Sequence, residues 1–289
     1  MTGASDPALR LGHEDAAIFE LYVVPRYLAL FADPLVQKIV TSQDARVCHV
    51  DCRTGYPDQG LFERLPGAHV YGCDPSSSAI ELARAKGAPL ELRAGNVVLD
   101  YRVVPGFPLP FPPAAFSHAF TVHPCAHARH AVLDELARLL APRGQVLVAM
   151  PLRGSFTELH DLLRECALKH ELPDLGAAVE AAAELRPDEA LFQREIADAG
   201  FTYVEVEARR LTLPFESGAA FFADPTTRLL LLPELRADLA RERRAAEASA
   251  VRPMPIDPLS YVKDAIDKYW SGRPFDLSLT NGVASGRRA

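Results

Sequence analysis

The segment that most limits what this chain can become runs from Arg46 to Asp74, RVCHVDCRTGYPDQGLFERLPGAHVYGCD. Val47, Cys48, Val50 and Cys52 form a short apolar run with the length of a buried strand. Gly55 falls in a tight turn, Leu61, Phe62 and Leu65 recur at helical spacing, and Pro66-Gly67 ends that helix. Val70 to Cys73 builds a second strand, with Asp74 at its carboxyl end. The pattern is a βαβ unit. An acid about twenty residues past the first turn is the residue type that reads ribose hydroxyls.

The flanking sequence extends the same alternation. Residues 1–12 read as loosely packed, and residues 14–40 as helical, divided by Pro25 and Pro34. After Asp74, SSSAIELARAK predicts a helix with serine at its start and Gly87 at its close, and Leu90-Glu91-Leu92 predicts a third strand. VVPGFPLPFPP is a proline-rich loop. Phe116 to Val122 predicts the fourth strand, and AVLDELARLLAPRGQVLVAMP a helix, a turn and a buried fifth strand over Val146 to Met150. From residue 151 the pattern is helical: one helix capped by Ser155, another from Pro187 to Gly200, then a half-exposed strand, FTYVEVEARRLTL. A helical insertion over about 215–272 includes the charged LRADLARERRAAEAS and an amphipathic helix from Tyr261 to Trp270. FDLSLTNGVASGRR closes the chain as a strand.

Several stretches resemble one family. RVCHVDCRTG resembles the RVLDVGCGTG signature of class I S-adenosylmethionine (SAM)-dependent methyltransferases, and HVYGCDPSSSAIELARAKG resembles their second strand and following helix. LARLLAPRGQVLVAMP is similar to the family's RVLKPGGRLLLTTP, and FELYVVPRYLALF to a leading helix that lies over the cofactor. The resemblance implies an α/β, Rossmann-like class I methyltransferase fold. Its sheet would be seven-stranded and mostly parallel with an antiparallel last strand and helices on both faces. An N-terminal helical cap (1–40) would precede a single methyltransferase-like domain (41–289) carrying the 215–272 insertion.

The same resemblance exposes a departure. Family members keep three glycines after the first strand so that the backbone can approach the methionyl part of SAM without a Cβ in the way. Aligned through Arg46-Val47 and Thr54-Gly55, His49 takes the usual acidic position, Asp51 and Arg53 replace the first two glycines, and Gly55 is the third. Shifting by two leaves Arg53 and Pro57 at glycine positions. The implied cofactor-binding set is Asp51, Arg53, Gly55, Asp74, Asn96 and Thr121, with Asp74 on the ribose and Asn96 on the adenine amino group. The alternative reading of Asp74 is a cap for the helix near Ser76. His123, at the end of the fourth strand, is the candidate general base; most methyl transfers need none. His118, His123, His127, His130 and Cys125 lack a recognised zinc spacing, and no metal is expected.

Two readings follow. In one, the chain is an enzyme that methylates a small-molecule substrate with SAM. In the other, it is a pseudo-methyltransferase whose overwritten loop has lost SAM and which meets a protein partner. A dehydrogenase is excluded by the lack of a GxGxxG. The net charge of −7 argues against nucleic acid. The absence of a membrane-length apolar run, of a signal peptide and of paired cysteine spacings among the five cysteines points away from membranes and to a reduced cytoplasmic setting.

Overall fold

The computed structural model describes residues 10–94, 97–246 and 256–289. Most of the segment expected to be loosely packed (1–12) lies outside them. The leading stretch is helical throughout: α1 (His13–Ile18) and α2 (Ala29–Gln37) are joined by a π-helical segment, Phe19–Leu28, that carries Pro25. Proline donates no N–H and crowds the preceding turn, and a wider π turn accommodates both effects.

Seven strands form one sheet in the order β3-β2-β1-β4-β5-β7-β6. They are β1 (Arg46–Val50), β2 (His69–Asp74), β3 (Val98–Val103), β4 (Phe116–Val122), β5 (Leu140–Pro151), β6 (Phe201–Phe215) and β7 (Phe275–Arg288). β1 pairs in parallel with β2 and β4, β2 with β3, and β4 with β5. The last strand is reversed. Gly286 of β7 lies by Val146, whereas Thr280 accepts the N–H of Leu152 just past β5. Val47, Cys48, His49 and Val50 are all buried, as expected for a parallel strand covered on both faces.

The helix between β1 and β2 is cut down to α3 (Asp58–Leu61), followed by turns to Pro66. α4 (Ser77–Ala94) then runs well beyond its expected end. The strand predicted at Leu90–Leu92 is therefore corrected: those residues are the last turns of α4, and the third strand is Val98–Val103. Gly87 is a close-packing glycine rather than a helix stop, since a Cβ there would come within 3.0 Å of Leu99 Cδ1. Glu91, from the same turns, accepts the Leu99 N–H at 2.7 Å.

α5 (Arg129–Leu139) precedes β5, and α6 (Thr157–Lys169), α7 (Pro173–Glu184) and α8 (Glu189–Asp198) follow it. Ser155 does not cap α6. Phe156 holds that place, and Ser155 Oγ instead exchanges hydrogen bonds with the main chain of Thr280. The insertion contains α9 (Gly218–Ala223), α10 (Leu232–Ala246) and α11 (Pro258–Tyr269). Two compact units result: Met1–Met150 with Glu189–Ala208 and Gly282–Ala289, and Pro151–Asp188 with Arg209–Asn281. Every candidate site residue belongs to the first.

Candidate functional site

Three strand ends form the floor of the site. Register sets Val50 beside Cys73 of β2 and Thr121 of β4, so Asp51, Asp74 and Val122-His123 emerge together at the carboxyl ends. That is where open α/β sheets bind ligands.

Leaving β1, the chain adopts φ +54° at Asp51, +47° at Arg53 and +78° at Gly55. These are left-handed values, free for glycine and costing an L side chain roughly 1–2 kcal/mol. Gly55 alone of the three is free of that cost, so Asp51 and Arg53 hold left-handed backbone with side chains attached.

Arg53 ties this loop to both neighbouring strands. Its main-chain N–H donates to Asp74 Oδ2 at 2.9 Å. Its guanidinium crosses to the end of β4, where Nη1 donates to the Val122 carbonyl and Nη2 to the His123 carbonyl, each at 2.7 Å. Asp74 Oδ1 accepts the Ser76 N–H at 2.8 Å in an Asx turn, and the residue that caps α4 is Ser76, whose Oγ accepts the Ala79 N–H at 3.4 Å. Ser76 Oγ in turn donates to the Leu11 carbonyl, drawing the N-terminal segment towards the end of β2.

Two carboxylates share this small space. Burial raises the Asp51 pKa to about 6 and the negative charge of Asp74 adds to it, with Arg53 and His49 pulling the other way. Asp74 is raised for the same first reason, burial, against hydrogen bonds from Ser76 and Arg53.

His123 is buried, with φ +55°. Its Nε2 lies 2.9 Å from the Tyr27 hydroxyl, and the rings of Tyr27 and Phe31 meet it edge-on. Thr121 is fully buried in β4, and its Oγ1 has no hydrogen-bond partner among the described residues. Gly55 closes the loop with its N–H on the Cys52 carbonyl. Asn96 lies outside the described residues. The structure thus brings Asp51, Arg53, Gly55, Asp74, Thr121 and His123 to one end of the sheet.

Residue-by-residue reading missed what stands behind the loop. His49 Nδ1 lies 2.8 Å from Asp58 Oδ1, and the Tyr101 hydroxyl donates to Asp58 Oδ2 at 2.9 Å, all three side chains buried. The His49 ring also stacks on Phe120 at 4.2 Å. Asp58, nine residues on, sets a carboxylate against His49. Tyr101 lies so close over β2 that a Cβ on Gly72 would come within 2.4 Å of its ring. A histidine in an acidic slot was the available signal.

All five cysteines are free thiols, and burial raises the pKa of Cys48 and Cys52 and pushes that of Cys73 up to about 12. Cys48, Cys52 and Cys73 are therefore not activated nucleophiles. Among the described residues no three His, Cys, Asp or Glu side chains gather as a metal site would require.

Residues 49–148 match the methyltransferase domain family. The match spans about a third of the chain. No curated protein matches it. Among solved structures, the YcgJ protein of Bacillus subtilis shares 13% identity over 89% of this chain and 97% of its own, with a TM-score of 0.52. A putative methyltransferase from Bacillus halodurans C-125 shares 15% identity over 89% and 98%, with a TM-score of 0.53. The [4+2]-cyclase SpnF shares 14% identity over 99% and 98%, at 0.50. Likeness at this level establishes the fold and leaves the reaction open. Among the described residues no helix is long and apolar enough to cross a membrane.

Proposed function

We propose that this is a methyltransferase domain with a cofactor cleft closed from within, and that the protein acts as a binding, scaffolding or regulatory protein rather than transferring methyl groups. The observation that carries this reading is the pair of hydrogen bonds from the Arg53 guanidinium to the Val122 and His123 carbonyls. The second glycine position stays bare in the family so that the methionyl end of SAM can approach the main chain. Here an ordered cation starts from that position and spans from β1 to β4.

SAM does not fit these residues in this arrangement. Arg53 fills the volume, and Asp51 sets a carboxylate where the cofactor's own carboxylate would come. Asp74 is retained, but both of its oxygens already accept main-chain N–H groups. The burial of His123 and its bond to Tyr27 support a structural post for it, holding the N-terminal helices to the sheet, rather than a general base. A protein partner in a reduced cytoplasm suits the free thiols and the charge of −7.

A second reading, SAM-dependent methylation of a small molecule, has one observation in its favour. The left-handed loop backbone and Asp74 both survive, so rotation of the Arg53 side chain alone would reopen the cleft.

Titration calorimetry with SAM and S-adenosylhomocysteine tests the proposal. Native protein should give no saturable heat at micromolar ligand, whereas an Arg53→Gly, Asp51→Gly double variant should bind at least tenfold more tightly. Micromolar binding by native protein would restore the enzyme reading.

A further inference from the structure

We draw no further inference here: the strongest candidate, the exposed outer edge of β6 where Tyr203 faces solvent, is a terminal strand of the sheet, and nothing among the described residues shows what covers it.

Discussion

Replacing Arg53 by glycine removes two effects of opposite sign. The guanidinium makes two charge-assisted hydrogen bonds to main-chain carbonyls in a half-buried setting. At about 1.5 kcal/mol each, their loss destabilises the fold by about 3 kcal/mol. Glycine also relieves the left-handed backbone at φ +47°, which returns about 1 kcal/mol. The net expectation is a loss of about 2 kcal/mol, or a fall in Tm of about 4–8 °C for a chain of this size. Arg53→Met keeps the strain and loses both bonds, so it should be the less stable variant by about 1 kcal/mol. Differential scanning calorimetry of native protein and the two variants measures the series. An Arg53→Gly protein as stable as native, or one less stable than Arg53→Met, would refute the idea that the guanidinium ties β1 to β4.

Other expectations follow from the same geometry. The folded-state pKa of Asp51, about 6, lies above its ordinary value of 3.8, so its contribution to stability is complete below pH 4 and is lost as pH rises through 6. Asp51→Asn, which also tolerates positive φ, should therefore stabilise by about 1–2 kcal/mol at pH 7.5 and by nearly nothing at pH 4; urea denaturation at both values decides it. Gly72→Ala drives a methyl group into the Tyr101 ring and towards Cys52 Sγ and should cost about 2 kcal/mol, read by urea denaturation. Arg129 forks onto Glu195 at 2.7 and 2.8 Å with both side chains largely buried, so Arg129→Met should cost about 3 kcal/mol by leaving that carboxylate only the exposed His130 at 3.6 Å. A double-mutant cycle with Glu195→Leu should recover much of that loss.

Much of the fold was legible because periodicity is a local property. Val47 to Val50, Phe116 to Val122 and Val146 to Met150 are apolar runs bounded by turn residues, and all three lie in central strands. The third strand is misplaced from sequence because Gly87 has the local look of a helix stop. What decides Gly87 is tertiary, the approach of Leu99 from β3, and nothing in the residues around it records that contact. At the site, the loss of two glycines was visible, but the direction taken by Arg53 depends on carbonyls 69 and 70 residues away. The relay through His49, Asp58 and Tyr101 was hidden for the same reason, since its members come from β1, α3 and β3. The helix after β1 stops at Leu61, whereas the spacing of Leu61, Phe62 and Leu65 suggested a longer one.

The most direct test of the closed cleft watches the guanidinium itself. In protein labelled with nitrogen-15 arginine, the Arg53 Nη–H signals are assigned by their disappearance in Arg53→Lys. The account predicts resolved, slowly rotating Nη protons that stay unchanged when SAM is added to about 1 mM, a concentration that would saturate any micromolar site. Signals averaged by free rotation, or signals that shift and saturate at micromolar SAM, would contradict it.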